Sequence, residues 1–242
     1  MKLALISDIH GNLEAFTAVL EDIEKKSADR IHCLGDVVGY GSEPGACLQL
    51  VADTCEFKLM GNHEHVILGL DQPDNYTHIA RISAAWTRKQ LSDRALSIIA
   101  EFRIDHHDDE FYLVHASPDQ PDRWHYVLTP EEAAGAFVKL NERLCFYGHS
   151  HVPMIFTESP GTMPRRRVGH TFLPDPDSRY LINVGSVGQP RDNDPRACYV
   201  IYDTDEDDVT YCRVDYDIES AQSKMAQAQL PDMLIDRLAV GR

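Results

Sequence analysis

Short apolar runs alternate with helical periodicity along the first 62 residues. The runs Leu3–Ile6, Ile31–Leu34 and Phe57–Met60 have the length and composition of buried strands. Apolar residues recur at spacings of three and four around Phe16, and again from Pro44 to Val51, which predicts a helix in each interval. The order strand, helix, strand, helix, strand predicts a parallel sheet covered by helices.

The same alternation continues to residue 147. Thr77–Ala100 is predicted to be mostly helical, and Phe111–Val114 and Leu144–Tyr147 are predicted strands. Between those strands we expect a helix from a capping-box sequence at Thr129 to about Leu140.

Beyond residue 151 the pattern changes to strands and turns. Tyr180–Val184, Ala197–Asp203 and Val209–Tyr216 are predicted strands, with a polar hairpin turn between the last two. Ile218–Leu238 has a helical pattern. Residues 158–178 are rich in proline, glycine and arginine, and we expect a loop or hairpin excursion there, not a domain boundary.

Composition narrows the class of protein. With 242 residues and 43% hydrophobic content, the chain can bury a core as a single domain spanning 1–242. Its net charge of -16 and lack of a basic stripe make a nucleic-acid polymer an unfavourable substrate. A small phosphate ester remains compatible, because bound metal ions reverse the local field.

Cysteine usage and hydropathy indicate a reduced, cytoplasmic environment. The six cysteines are scattered without a CxxC pair, which favours reduced thiols in the core. The N-terminal apolar run is too short for a signal peptide, and no run approaches the ~18 residues of a membrane span. We expect a cytoplasmic protein with no membrane contact.

Potential metal ligands follow the predicted strands. They are Asp8, His10, Asp36, Asn62, His115, His149 and His151. Carboxyl ends of parallel strands meet at one sheet edge, and alternate residues of an extended segment share a side, so these side chains should converge. Carboxylates bridge cations through their two oxygens, imidazoles bind borderline metals, and two metals about 3.5–4 Å apart can hydrolyse an ester. The pattern predicts a two-metal hydrolase.

Simpler interpretations exist for individual motifs. Asp8 and Asn12 are favoured helix caps, and His149–His151 is compatible with a polar turn. His106–Asp109 is predicted to be a solvated turn, not a site, because adjacent strand residues point to opposite faces.

Taken together, the motifs DxH at 8–10, GD at 35–36, GNHE at 61–64, His115 and GHSH at 148–151 resemble the calcineurin-like metallophosphoesterase superfamily. Their spacing is most similar to its small prokaryotic phosphodiesterase branch, as is the glycine-rich stretch 183–191. The resemblance implies a four-layer α/β/β/α sandwich of two mixed sheets, with a dinuclear metal site at the strand ends.

The resemblance also implies roles. One metal would be bound by Asp8, His10, Asp36 and His151, and the other by Asp36, Asn62, His115 and His149, with Asp36 as the bridge. Manganese, iron and zinc all suit these ligands. Metal-bound hydroxide would be the nucleophile, His63 would be the catalytic residue facing the substrate, and Arg191 would bind the substrate.

Two positions depart from the family pattern. Gly39 replaces the second aspartate of GDxxDRG, so the residue that orients His63 is open, and Glu64 replaces the aspartate of GNHD. Both changes disfavour a protein phosphatase.

The run Arg165–Arg167 is interpreted as a solvated loop, with a phosphate-binding arm as the alternative. Tyr40, Trp124 and Tyr126 offer rings for base stacking, although packing is preferred for Trp124.

These features favour a phosphodiesterase for small or nucleotide-type phosphate esters. The alternatives are a phosphomonoesterase or protein phosphatase of the same superfamily, a non-catalytic interaction module on this fold, and a two-metal amide or lactone hydrolase. Relatives that serve as interaction modules typically lack ligands that this chain retains. The amide and lactone hydrolases usually begin with HxH on a barrel strand, whereas this chain begins with DxH.

Overall fold

The computed structural model describes residues 1–71, 76–108 and 110–242. One mixed sheet of five strands has the order β11–β10–β1–β2–β3. Its strands are β1 (Lys2–Ile6), β2 (Arg30–Cys33), β3 (Phe57–Lys58), β10 (Ala197–Asp203) and β11 (Asp208–Val214). The first three run parallel, and β10 pairs antiparallel with both β1 and β11.

A second mixed sheet of six strands has the order β4–β5–β6–β9–β7–β8. Its strands are β4 (Asp105–His107), β5 (Phe111–Val114), β6 (Leu144–Tyr147), β7 (Met154–Glu158), β8 (Arg165–Val168) and β9 (Arg179–Asn183). β5, β6 and β9 are parallel, while the other pairs are antiparallel.

Eight α-helices lie in the described part of the chain. They are α1 (Leu13–Lys25), α2 (Pro44–Thr54), α3 (Asn62–Ile67), α4 (His78–Gln90), α5 (Asp93–Ala100), α6 (Pro130–Phe137), α7 (Ile218–Gln227) and α8 (Asp232–Asp236). The predicted capping box at Thr129 is confirmed: its hydroxyl accepts from the backbone N–H of Glu132, whose carboxylate accepts from that of Thr129. No helix of the described residues has the length and hydropathy to cross a membrane.

Three apolar clusters define four layers. The central cluster lies between the sheets and includes Leu5 of β1 and Phe146 of β6. A second cluster packs helices such as α1 and α2 on the outer face of the first sheet, and a third packs α6 on the outer face of the second. The predicted α/β/β/α sandwich of two mixed sheets is therefore confirmed.

Two predicted helices are each broken in the structure. Thr77–Ala100 divides at Leu91, because the Ser92 hydroxyl accepts from the backbone N–H of Ala95 and starts a new helix, α5. Ile218–Leu238 divides between α7 and α8, where Gln229 has a φ of 55° and Pro231 precedes α8.

The prediction of a turn at His106–Asp109 was wrong for its histidines. His106 and His107 belong to strand β4 and pair with Leu113 and Tyr112 of β5. The hairpin closes where the backbone N–H of Asp108 donates to the carbonyl of Phe111. Asp109 lies outside the described residues. Within the described residues, His106 and His107 belong to no cluster of potential metal ligands.

The C-terminal helices pack on the chain's own surface. Leu234 and Leu238 are buried in a cluster that includes Tyr40, Ile79 and Trp86. This packing places the C-terminal segment beside the loop that follows β2.

Candidate metal centre

The loops that follow β1, β2, β3, β5 and β6 meet at one end of the sandwich. Backbone hydrogen bonds join them: Asp8 N–H donates to Gly35 O over 3.0 Å, and Gly148 N–H donates to His115 O over 2.9 Å. All seven predicted ligand residues lie at this edge and are buried. The convergence that the strand order predicts is therefore present.

Most of these ligand residues have a left-handed backbone. A positive φ, between 50° and 64°, occurs at Asp8, His10, Asp36, His149 and His151. The expectation that the DxH and HxH segments are extended was wrong, since the chain turns sharply at each of these residues. Such a conformation costs a residue with a Cβ about 1–3 kcal/mol, and the surrounding structure must hold it in place.

Asp8, His10 and His151 form the first ligand group. Oδ1 of Asp8 lies 3.2 Å from Nε2 of His151 and 3.7 Å from Nε2 of His10. The two Nε2 atoms are 3.1 Å apart. The capping interpretation of Asp8 is wrong, because its Oδ2 accepts from the backbone N–H of His149, whereas Asn12 does cap α1.

Asp36, His115 and His149 form the second group, with their ligand atoms within 4.8 Å of one another. Oδ2 of Asp36 lies 3.3 Å from Nε2 of His115. Asn62, the first residue of α3, adds a carbonyl oxygen, because its amide nitrogen donates to the Tyr76 hydroxyl and so fixes the side chain.

Asp36 joins the two groups through a single oxygen. Its Oδ1 accepts the backbone N–H of His63 over 2.9 Å. Its Oδ2 lies between the groups, 3.7 Å from Nε2 of His10 and 3.3 Å from that of His115. One carboxylate oxygen, not both, is thus placed between them.

Backbone carbonyls set the tautomers of three imidazoles. Nδ1 lies 3.1 Å from Val38 O in His10, 2.8 Å from Leu34 O in His115 and 2.7 Å from Gln189 O in His151. A carbonyl only accepts, so each Nδ1 carries a proton and each Nε2 is the nitrogen that faces the centre.

Four buried atoms at the centre have no hydrogen-bond partner in the described residues. They are Oδ1 of Asp8, Oδ1 of Asn62, Nε2 of His115 and Nε2 of His149. Buried polar atoms are almost always paired, and cations would satisfy all four at once. Their donor chemistry, carboxylate, amide and imidazole, fits borderline divalent metals.

Protonation equilibria favour the same chemistry. Burial alone would raise the pKa of Asp36, but the charge of His115 holds it well below its ordinary value. Burial lowers the pKa of His149 to about 3 and that of His151 to about 4. Although burial opposes it, the charge of Asp36 raises the pKa of His115 to about 9, so a cation would have to displace the His115 proton. Near pH 7 the centre therefore offers ionised carboxylates, with neutral imidazoles at His149 and His151.

Glu64 ties two of the ligand loops together. Its buried carboxylate accepts the backbone N–H groups of Asp36, Val38 and Gly61 over 2.8, 3.0 and 2.9 Å. Sequence reasoning noted Glu64 only as a departure from GNHD. Its place three residues after Gly61, at the start of a helix, was a signal for such a cap.

His63 lies beside the first ligand group, surrounded by rings. Its ring centroid is 4.5 Å from that of Tyr40 and 4.8 Å from that of His10, both edge-on, and Tyr76 closes a third side at 6.2 Å. Burial lowers the pKa of His63 to about 3. The ring is therefore neutral at neutral pH.

Comparison with known proteins identifies the family. A family model described as the calcineurin-like phosphoesterase superfamily domain matches residues 1–207. The chain belongs to this superfamily.

Similar proteins span the full length of the chain. A metallophosphoesterase crystal structure from Sphaerobacter thermophilus is 38% identical with a TM-score of 0.88, covering 100% of this chain and 99% of that one. An uncharacterized protein from Methanocaldococcus jannaschii is 37% identical over 99% of this chain and 98% of its own length. A hypothetical protein from Pyrococcus horikoshii has the same fold, with a TM-score of 0.79 at 18% identity, covering 100% of this chain and 98% of that chain.

A cavity of about 490 Å³ opens beside the centre of this phosphoesterase-family chain. Asn62 and His149 line it, as does Tyr126, which stacks on His149 with ring centroids 4.2 Å apart. The predicted substrate residue Arg191 lines it, with its guanidinium 5.7 Å from the Tyr40 ring centroid. Trp124 is mostly buried against His115, as its packing interpretation expected.

Two further residues of the cavity escaped sequence reasoning. Tyr76 and Arg237 both line it, although neither belongs to a motif. By contrast, Arg165–Arg167 lie in the exposed strand β8, which pairs antiparallel with β7 as one arm of a hairpin. Their solvent exposure was predicted, but they belong to a strand and not to a loop. They do not line the cavity in the described structure.

Proposed function

We propose that this chain is a dinuclear-metal-dependent phosphodiesterase that hydrolyses small or nucleotide-type phosphate esters. The observation that carries the proposal is the set of four buried, unpartnered ligand atoms in two groups, with Oδ2 of Asp36 between them. Membership of a phosphoesterase superfamily supports the reaction class.

The seven ligand residues divide between two metal positions. Asp8, His10 and His151 would hold one ion, Asn62, His115 and His149 the other, and Asp36 both. Bound cations supply an activated water nucleophile and neutralise charge on the phosphoryl group. Manganese, iron and zinc are the candidates that these ligands suit.

His63 acts next to the ligands, on the substrate. Because burial keeps its ring neutral, we assign it an N–H hydrogen bond that stabilises the negative charge developing on the phosphoryl and leaving oxygens, while the leaving oxygen takes its proton from water. Arg191, which lines the cavity beside the metal centre, would bind a phosphate oxygen of the substrate.

The cavity favours a small diester over a phosphoprotein. Its volume suits a nucleotide-sized molecule, and its aromatic side offers contact to a second esterified group. A cytoplasmic location is part of the proposal, supported by six buried cysteines that carry no disulfide.

The test is hydrolysis of bis(p-nitrophenyl) phosphate and p-nitrophenyl phosphate by metal-stripped protein, before and after adding manganese, iron or zinc. We expect activity to return with metal and to favour the diester. Asn62→Ala and His63→Ala should each abolish most of it, whereas the exposed His170→Ala should not.

Other outcomes point to other functions. Preference for the monoester would indicate a phosphomonoesterase. Protein that holds two metals without hydrolysing either ester, a lactone or an acyl amide would be an interaction module on this fold. Hydrolysis of a lactone or amide alone would move the chain to a different reaction class.

A further inference from the structure

Arg191 and Arg237 meet at one buried acceptor. Oε1 of Gln189 accepts from Nη2 of Arg191 over 2.8 Å and from Nη1 of Arg237 over 3.1 Å. Gln189 is only 2% exposed and lies in the glycine-rich stretch 183–191, just after β9. Two positive groups are therefore held side by side, although their residues are far apart in the chain.

No Asp or Glu side chain of the described residues pairs with either arginine. Neither guanidinium has an Asp or Glu carboxylate within 4.0 Å there, whereas Arg143, Arg179 and Arg213 each form an ion pair. Nε of Arg191 is buried without an acceptor, and Nε of Arg237 donates to the main-chain oxygen of Arg242.

The proximity of Arg191 and Arg237 is electrostatically unfavourable without a bound anion. Burial and the charge of Arg191 together lower the pKa of Arg237 to about 10. In a chain of net charge -16, two partly buried arginines without an Asp or Glu partner favour the binding of an external anion.

Both arginines line the cavity that contains Asn62 and His149. Arg191 lies over one side of the Tyr40 ring, and the same ring contacts His63 and His10, with centroids 4.5 and 4.6 Å apart. The Tyr40 ring thus separates Arg191 from the metal centre. One small molecule could contact the arginine pair and the metal centre at the same time.

The C-terminal packing fixes Arg237 at this place. Leu234 and Leu238, on either side of it, are buried in the cluster that contains Tyr40. The family model ends at residue 207, so this arginine lies beyond the matched domain. Its position is a property of this chain's C-terminal segment.

From this geometry we infer that Arg191 and Arg237 bind a second phosphate group of the substrate, next to the phosphate that is hydrolysed. The inference rests on the proposed function and narrows its substrate class to phosphate esters that carry an additional phosphate. Guanidinium groups bind phosphate through two parallel N–H···O bonds, and two adjacent groups discriminate strongly between one phosphate and two.

The test compares two probes that differ by one phosphate, adenosine 5′-monophosphate and α,β-methylene adenosine 5′-diphosphate. Their Kd values for the manganese-loaded protein are measured by calorimetry for wild type, Arg237→Gln and Arg237→Lys. Arg88→Gln, on the exposed last turn of α4, is the matched control. Hydrolysis of bis(p-nitrophenyl) phosphate is followed in parallel.

We expect wild type and Arg88→Gln to bind the diphosphate at least tenfold more tightly than the monophosphate. Arg237→Gln should reduce that ratio to within about twofold of unity, and Arg237→Lys should give an intermediate ratio. A wild-type ratio near unity, or a ratio unchanged in Arg237→Gln, would overturn the inference even if the diester is hydrolysed. Preference for the diphosphate without hydrolysis of any ester would instead support the anion site and contradict the proposed function.

Discussion

Gly39 lies directly against the ring of His63. A Cβ atom at Gly39 would be 2.2 Å from Nδ1 of His63, so no side chain fits there while the ring keeps its position. Gly39 also has a φ of 90°, a conformation that glycine adopts without strain. The missing aspartate of GDxxDRG therefore leaves room for the ring, whose orientation comes from Tyr40, Tyr76 and the backbone bond to Asp36.

Substituting Gly39→Ala should displace His63 without removing a metal ligand. Because misplacement of a reacting group by an ångström costs on the order of 100-fold, we expect kcat on bis(p-nitrophenyl) phosphate to fall by about that factor. Metal content, measured by mass spectrometry, should be unchanged. Gly135→Ala in α6, where a Cβ meets nothing within 4 Å, is the control and should keep full activity. Full activity in Gly39→Ala would refute the positioning of His63.

Glu64→Gln should weaken both the fold and the metal centre. The amide retains one acceptor oxygen and turns a donor toward a backbone N–H, so we expect the free energy of unfolding to fall by about 2–3 kcal/mol. Metal affinity should fall about 10–100-fold, because the loop of Asp36 loses its anchor. Urea unfolding and metal titration measure the two effects. The surface variant Glu56→Gln, which breaks an exposed pair with Arg30, should change stability by less than about 1 kcal/mol.

The ligand residues at the strand ends could be predicted from the sequence, but their left-handed backbone conformation could not. Asp36, Asn62 and His115 each follow an apolar run, so their convergence follows from strand order alone. The left-handed turns at Asp8 and His10 are held by contacts with loops distant in sequence, which no local pattern encodes.

Side-chain contacts between residues distant in the sequence could not be predicted either. Gln189 and Arg237 lie 48 residues apart and meet only because α8 packs over Tyr40. Glu64 marked a helix start in the sequence, but two of its three bonds reach another loop. Periodicity locates elements, whereas such contacts depend on how the elements pack.

His32 should make stability depend on pH. Burial, with the charges of His106 and Arg30, lowers its pKa to about 4, against partial opposition from Asp108. An unfolded histidine titrates near 6.5, so between about pH 4 and 6.5 the unfolded chain binds the extra proton. The stabilisation is therefore complete above about pH 6.5 and is lost as pH falls toward 4.

The measurement compares the free energy of unfolding at pH 7 and pH 4 in wild type and His32→Phe, which keeps a ring against Phe57. The variant should lose less stability over this range, by about 2–3 kcal/mol. The exposed His125→Phe serves as control and should follow wild type. Parallel curves for wild type and His32→Phe would show that His32 is not protonated preferentially in the unfolded chain.

Metal binding should stabilise the fold by mass action. The four unpartnered ligand atoms gain partners only in the folded, loaded protein, so manganese at 100 times its Kd should add about 2.7 kcal/mol per site. Thermal unfolding of stripped and reloaded protein measures this as a rise in Tm. An unchanged Tm at saturating manganese would mean that these atoms do not bind it.

The most direct measurement is the number of manganese ions bound per chain, determined by mass spectrometry alongside diester hydrolysis, for wild type and Asp36→Asn. Oδ2 of Asp36 lies between both ligand groups, so wild type should bind two ions, and the variant should lose tight binding at both positions together with hydrolysis. A single ion in fully active wild-type protein, or two ions and full activity in Asp36→Asn, would contradict a dinuclear centre bridged by Asp36.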